Sequence, residues 1–268
     1  MKPREQLSSR LSTSVSRIVV AVFVAFLLVP VMLVIALSFS GTTFIQFPPK
    51  SWGWRQYSAL VQSEYWLEAI RLSAIIAAAT AIVSTVIALM ACFAIFRTRM
   101  LGGQVLRVAG VTPLIIPVAA YGVALYGLFS RLDLIGSTVG LVVAHTLLSM
   151  PLAVVILGAS MEQISPELEY VAMSLGASRA RAWAGITMRL LAPAIGASLV
   201  FCFVSSFDEA VLVNFLGGGV LVTLPKAIFD SVRFGVDALI TAAATLLIVA
   251  TAGLMAVAGR WQKAVRRR

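Results

Sequence analysis

Two adjacent carboxylates, Asp208 and Glu209, follow Phe207 near the far end of an apolar run that begins close to residue 190. An ionised carboxylate costs about 2.5–3.5 kcal/mol at the centre of a membrane and less towards its edge, so its presence there indicates a function by default. One interpretation is that these three residues line a path for a solute and that the carboxylates attract a cation. In the other, Asp208 caps a break in a helix or pairs with Lys226 or Arg233. The residues alone leave both interpretations open.

Other constellations that carry chemistry are missing from the sequence. No Gly-x-x-x-x-Gly-Lys-Ser/Thr phosphate loop occurs, so ATP cannot be bound by that device. The single histidine, His145, lies in an apolar run without a triad or metal-ligand cluster, and hydrogen-bonded packing is expected for it. Cys92 and Cys202 also lie in apolar runs, which indicates packing rather than a disulfide. We expect a non-catalytic chain with no metal site and no cofactor of its own.

The composition indicates what surrounds these residues. Hydrophobic residues make up 60% of the chain and charged residues 12%, whereas a soluble domain carries about 25% charged residues. The mean hydropathy is +0.99, and a bilayer tolerates so much apolar surface while water does not. The net charge of +10 does not indicate a nucleic-acid partner, because the basic residues stand between apolar runs and at the chain ends.

Six apolar stretches are long enough to cross a hydrocarbon core of about 30 Å at about 1.5 Å per residue. They are 18–39, 67–96, 105–129, 138–160, 190–213 and 238–259. The first follows a basic start, as a signal peptide would, but it exceeds the apolar core of about 7–15 residues that signal peptides have. We therefore expect an uncleaved first helix and an all-α integral membrane protein with six transmembrane helices.

The distribution of Lys and Arg predicts the orientation of these spans. Fifteen lie in the two termini and in the second and fourth connections, against five in the other connections. Positive residues are enriched on the cytoplasmic side, so we expect both termini in the cytoplasm. The basic tail from Arg260 is expected to meet anionic lipid headgroups.

The fourth connection, 161–189, is too long and too polar for a simple turn. Ser165-Pro166-Glu167 has the residue types of a helix start: a capping hydroxyl, a proline at the first position and an acid near the positive end of the helix dipole. We expect a short helix from Pro166 that ends at Gly176.

A second short helix is expected to follow, capped by Ser178 and running through Trp183 towards Arg189. Two short helices that meet at a bend project from the membrane surface and leave apolar side chains uncovered. These side chains are Leu168, Val171, Ala172, Leu175 and Trp183. An exposed apolar patch of this kind indicates a binding partner.

Residues 169–178, with Ile186 ten positions after Gly176, resemble the EAA loop of ATP-binding-cassette (ABC) importer permeases. The family pattern is Glu-Ala-Ala, three residues, Gly, nine residues, Ile, one residue and Leu-Pro. The position of the motif's glutamate holds Tyr170, with Glu169 one place early. The residues that the resemblance assigns to the coupling loop are Glu167, Glu169, Tyr170, Ala172, Gly176, Ala177, Ser178 and Ile186.

The resemblance implies the type I (MetI-like) importer permease fold as a single domain over 1–268, with a core at about 67–259. It also implies a bacterial inner-membrane complex of this chain with a second similar permease, a cytoplasmic ATPase dimer and a periplasmic substrate-binding protein. The coupling loop would dock on the ATPase, and ATP would be bound by that partner. The pattern's final Leu-Pro reads Met188-Arg189 here, so the contact with the ATPase is expected to differ in detail.

Segments outside the loop resemble the polyamine (spermidine/putrescine) branch of these permeases. They are Phe47-Pro48-Pro49, Trp54-Arg55-Gln56-Tyr57, residues 206–211 and Thr223-Leu224-Pro225. Permeases for other small organic solutes carry similar segments, so an aminoethylphosphonate, an amino-acid derivative or an opine stays open as the solute. The alternative from another class is a stand-alone secondary transporter, which often shows inverted repeats and broken helices in matched halves.

Overall fold

The computed structural model describes residues 3–97, 110, 112–234 and 238–266, with side chains between residues 15 and 260. Its regular elements are helices, and one isolated antiparallel bridge joins Ser40 and Trp52. The chain forms two compact units: Met1–Ser63 with Ser231–Leu246, and Glu64–Asp230 with Leu247–Arg268. The interpretation of the whole chain as one permease domain stays a prediction.

The first unit contains helices α1, Pro3–Ser38, and α2, Arg55–Gln62. The apolar part of α1 is exposed along most of its length, as expected for a helix that faces lipid. The loop after α1 is held by the buried Gln56, whose amide donates hydrogen bonds to the carbonyls of Ser40 at 3.2 Å and Thr42 at 2.6 Å.

Six helices lie wholly in the second unit. They are α3, Glu64–Arg97; α4, Val118–Arg131; α5, Thr138–Glu162; α6, Glu167–Ser174; α7, Arg179–Phe207; and α8, Val211–Leu216. Helices α9, Leu224–Phe234, and α10, Leu239–Arg266, have residues in both units.

Five helices of the described residues are long and apolar enough to cross a membrane, and this confirms five of the predicted spans. They are Val15–Ser38, Glu64–Arg97, Thr138–Glu162, Arg179–Phe207 and Leu239–Arg260. The third predicted span, 105–129, lies partly outside the described residues. Its described part is a 3-10 turn, Thr112–Ile115, followed by α4 after Pro117. Proline lacks the N–H that a continuing helix needs, which accounts for the break.

Helices α3, α5 and α7 pack closely because small residues line their contacts. The buried cluster includes Ala81, Ala88 and Cys92 of α3, Ala153 and Leu157 of α5, and Leu191, Ala194 and Cys202 of α7. Small side chains let helix backbones approach where lipid supplies no hydrophobic drive. The alanine-rich α3 packs in this way, with Ala77, Ala81 and Ala88 buried. Thr85 and Ser198 add an interhelical hydrogen bond of 3.0 Å.

A second buried cluster joins α3, α4, α5 and α8, and two glycine turns meet beside it. The Gly136 N–H donates to the Leu216 carbonyl at 2.9 Å. Gly218 has a φ of +62°, and a Cβ placed on it would lie 2.9 Å from the Gly136 Cα. Both the backbone conformation and the close approach therefore require glycine at this position.

We expect Gly218→Ala to destabilise the protein by about 1–3 kcal/mol, because alanine is strained at positive φ and its Cβ collides with backbone. The measurement is the thermal midpoint of the detergent-solubilised chain. Gly253→Ala in α10 is the matched control, since a Cβ there meets nothing within 4 Å and alanine favours a helix. Equal midpoints for the two variants would contradict the assignment.

Candidate functional site

The loop between α5 and α7 is bent where the sequence predicted it. Helix α6 starts after Pro166, and the Ser165 hydroxyl accepts a hydrogen bond from the Glu167 N–H at 3.2 Å. The helix gives way at Leu175, and Gly176 has a φ of +92°. Glycine adopts this conformation at no steric cost, which is why the helix ends there. The predicted helix from Pro166 to Gly176 is confirmed.

The second half of the loop differs from the prediction. Ser178 does cap a helix, accepting a hydrogen bond from the Arg181 N–H at 3.4 Å. That helix is not short, however: it is the start of α7, which runs through a π-helical turn, Trp183–Thr187, to Phe207. The expected stop near Arg189 was wrong. No proline interrupts 179–189, and a charged residue at the start of a spanning helix does not end it.

The outward face of α6 is apolar and uncovered within the chain. Leu168, Val171 and Leu175 are 44%, 58% and 85% exposed, and Tyr170 is 62% exposed. The predicted patch is confirmed for these side chains, whereas Trp183 is half-buried. Its ring packs edge-on against Phe93 of α3 at a centroid distance of 5.0 Å, and Ala172 is half-buried.

The inward face of α6 carries a buried charge. Glu169 is only 7% exposed, and its Oε1 accepts a hydrogen bond from the Arg97 Nε at 2.7 Å. The Thr187 hydroxyl of α7 donates to the same oxygen. Arg97 also donates from Nη2 to the Ile164 carbonyl at 2.9 Å, and its own carbonyl accepts from the Arg179 guanidinium at 3.0 Å. This cluster ties the start of α6 to the ends of two spanning helices.

Neither Arg97 nor Thr187 was singled out from the sequence. Arg97 entered only as part of the positive charge of the second connection. The available signals were a lone arginine closing a long apolar helix and an acid between Leu168 and Tyr170. Both side chains of the ion pair are at least nine-tenths buried, and removing one partner of such a pair costs about 3–5 kcal/mol.

The remaining predicted loop residues lie at or after the bend. A Cβ on Gly176 would meet nothing within 4 Å, so only its φ restricts the residue type. Ala177 and Ile186 are half-buried, and Ser178 is the exposed cap described above. The structure therefore brings Glu169 together with the bundle and leaves Glu167, Tyr170 and Ser178 on the surface.

The two carboxylates at the far end of α7 have different environments. Helix α7 ends at Phe207, and Asp208 lies in the break before α8. The Glu209 Oε1 accepts hydrogen bonds from the N–H groups of Val211 at 2.6 Å and Leu212 at 3.0 Å, so this side chain caps the start of α8. The continuous predicted span 190–213 was wrong at this point, and Glu209 has a structural role.

Asp208 is exposed and has no ion pair among the residues that the structure describes. The predicted pairing with Lys226 is not formed, because Lys226 binds Asp230 at 2.6 Å instead. Phe207, the third member of the predicted path, is 5% exposed and stacks on Phe203. Of the three residues, Asp208 alone presents a free polar group.

Both carboxyls lie beyond the end of the span, and partial burial raises the pKa of each. For Glu209 the hydrogen bonds from Leu212 and Val211 lower the pKa again, and the neighbouring Asp208 raises it. His145 has the packing role expected for it, since its Nδ1 lies 2.8 Å from the Ser206 Oγ.

Taken together, five apolar helices and a bent polar loop with an uncovered apolar face define an integral membrane protein with an exposed apolar surface on that loop. The profile of the family described as "Binding-protein-dependent transport system inner membrane component" matches residues 84–268. The chain belongs to this family and is therefore a permease subunit of an ABC importer.

Curated relatives transport unlike solutes. The putrescine transport system permease protein PotI of Escherichia coli is 28% identical over 83% of this chain and 82% of its own length. The spermidine/putrescine permease protein PotC of Haemophilus influenzae is 26% identical, covering 86% and 90%. The molybdenum transport system permease protein ModB of Mycobacterium tuberculosis is 29% identical, covering 77% and 84%.

Solved structures share the fold. A bacterial ABC transporter involved in the import of alginate matches with a TM-score of 0.72 and 14% identity over 95% of this chain and 97% of that chain. The same kind of transporter in complex with an alginate-bound periplasmic protein gives 0.69 at 14% identity, covering 96% of each chain. The MetNI methionine ABC transporter gives 0.60 at 14% identity, covering 76% and 99%. This confirms the predicted type I importer fold.

We expect Glu209→Ala to destabilise the protein by about 1 kcal/mol, because two N–H groups at the start of α8 lose their acceptor. Glu209→Gln keeps an acceptor oxygen and is expected to retain most of the stability. Thermal unfolding in detergent measures both, with Asp208→Asn as the control that leaves the cap intact. The capping role is excluded if alanine and glutamine at position 209 behave alike.

Proposed function

We propose that this chain is one of two similar permease subunits in a bacterial inner-membrane importer, with both termini in the cytoplasm. A cytoplasmic ATPase dimer docks on the loop 161–189, and a periplasmic binding protein delivers the solute. We further propose that the solute is a polyamine such as spermidine or putrescine. The observation that supports the proposal most strongly is the uncovered apolar face of α6 beside the bend at Gly176.

The apolar face supports an ATPase contact at this loop. Leu175 is 85% exposed although it stands next to a bend that glycine fixes. Contact between exposed apolar side chains and water is unfavourable, and a partner that covers these side chains removes that contact. The sequence has no phosphate loop of its own, so ATP hydrolysis belongs to a separate subunit.

The proposed mechanism is alternating access driven by that subunit. Closure of the ATPase dimer on ATP moves α6, and the spanning helices change from an inward-open to an outward-open arrangement. A ligand shifts a conformational equilibrium only if it binds the two states unequally. The ATP-bound and nucleotide-free ATPase dimers would supply that difference.

The case for a cationic solute combines a residue and two relatives. Asp208 is an exposed carboxylate at the end of α7 without an ion pair in the described residues, so it can attract a cation. PotI and PotC are named for putrescine and spermidine. ModB, a relative of similar identity, is named for molybdenum and not for a polyamine, which makes the solute the part of the proposal that most needs a direct test.

Leu175→Asp is expected to weaken retention of the ATPase at least tenfold, about 1.4 kcal/mol, because a carboxylate replaces an apolar anchor. Co-purification of the ATPase from detergent measures this, and deletion of residues 167–178, which ends before α7, sets the level of complete loss. Val220→Asp is the control, since Val220 is also exposed (79%) but lies in the loop after α8. Full retention by Leu175→Asp would rule out docking at this face.

For the solute, we expect binding protein loaded with putrescine or spermidine to stimulate ATP hydrolysis by the reconstituted importer. Asp208→Asn should lower maximal uptake several-fold without loss of this stimulation, because only the attraction for the cation is removed. Asp133→Asn, an exposed acid in the α4–α5 turn, is the control. If a binding protein loaded with molybdate stimulates ATP hydrolysis and the polyamine-loaded proteins do not, the solute is an anion and not a polyamine. Ion-driven uptake by the isolated chain would establish a secondary transporter.

A further inference from the structure

We propose that the buried cluster of Arg97, Glu169 and Thr187, the inner clamp, is a positioning device that passes movement of α6 to two membrane-spanning helices. This inference rests on the proposed docking of an ATPase at the loop. It gives Glu169 a function that faces the membrane bundle rather than the ATPase, and it adds Arg97 and Thr187 to the residues that coupling requires.

The geometry of the clamp joins three separate elements at one atom. The Glu169 Oε1 of α6 accepts from the Arg97 Nε, in the last turn of α3, at 2.7 Å. The same oxygen accepts from the Thr187 hydroxyl, in the π-helical turn of α7. A displacement of α6 relative to either helix therefore stretches a hydrogen bond to a charged group, which is roughly twice as strong as a neutral one.

Two further bonds brace the arginine. Its Nη2 donates to the Ile164 carbonyl at 2.9 Å, in the short connection before α6. The Arg97 carbonyl accepts from Arg179, in the first turn of α7, at 3.0 Å. The chain on both sides of α6 is thus tied to the end of α3, and the Arg97 guanidinium cannot follow Glu169 without breaking its bond to Ile164.

Glu169 lies on the face of α6 that is turned away from the proposed docking face. Tyr170 and Val171, its next neighbours, are exposed on the face proposed to dock, while Glu169 is buried on the other side of the same helix. Helix α6 has eight residues, too few to hold its conformation alone. Because the inner face is fixed to α3 and α7, a push on the outer face reaches both helices through the clamp.

Docking and coupling should therefore be separable by mutation. A change on the outer face, such as Leu175→Asp, removes the partner. A change in the clamp leaves the outer face in place, so the ATPase still binds and hydrolyses ATP. What is lost is the transfer of the ATPase movement to the spans, and this appears as ATP hydrolysis without transport.

The test uses the complete importer in proteoliposomes with its ATPase and loaded binding protein, and it measures ATPase retention and solute moved per ATP. Arg97→Gln, Glu169→Gln and Thr187→Val should each lower solute moved per ATP at least fivefold. ATPase retention should stay within about twofold of the unmodified chain. Arg97→Gln combined with Glu169→Gln should be no worse than either single change, since the pair acts as one unit.

Two variants keep the outcome decisive if a charge-neutral variant folds poorly. Thr187→Ser retains the hydroxyl and should restore coupling, whereas Thr187→Val has nearly the same shape and should not. The matched control is Arg71→Gln, which breaks the exposed ion pair with Glu68 on the same helix α3 and should leave solute moved per ATP unchanged.

Normal transport per ATP in Glu169→Gln and Thr187→Val would overturn the clamp. Loss of ATPase retention in these variants, to the level of Leu175→Asp, would also overturn it. That result would show that Glu169 acts in docking of the ATPase and not in coupling. If the unmodified chain itself retains no ATPase, the proposed function fails first, and the failure is visible before any clamp variant is measured.

Discussion

The burial of the Glu169 carboxylate against Arg97 is the constraint on which the loop depends. A charge removed from water must be paired and hydrogen-bonded, and this pair is satisfied only when α3, α6 and α7 meet at one point. Helix α6 is too short to fix its own position. Its inner face is therefore held to α3 and α7 by this pair, while its apolar outer face stays exposed to a partner.

The parts of this arrangement that could be predicted from the sequence depend on neighbouring residues. The start of α6 follows from Ser165 and Pro166, its end from Gly176, and the next cap from Ser178, since each signal acts within one helical turn. The apolar spans are equally local, because their length alone separates them from soluble helices. For these features the sequence analysis and the structure agree closely.

The parts that could not be predicted depend on residues far apart in the chain or on small differences in backbone conformation. Arg97 and Glu169 are distant in sequence, and nothing near either residue names the other as its partner. The continuation of the helix past Arg189 accompanies a contact between Trp183 and Phe93 of α3, which the residues near Arg189 do not indicate. Likewise Asp208 and Glu209 are chemically alike. Only the position of the start of α8 makes Glu209 the capping residue and leaves the Asp208 carboxylate free.

The continuity of α7 has a consequence for how the two ends of this helix communicate. From Arg179 to Phe207 it comprises 29 residues, a rod about 43 Å long at about 1.5 Å per residue. The clamp lies at one end of this rod, and the break that exposes Asp208 lies at the other. A rotation of this helix about its own axis would reorient both ends to the extent that its π-helical turn and Pro193 transmit the rotation.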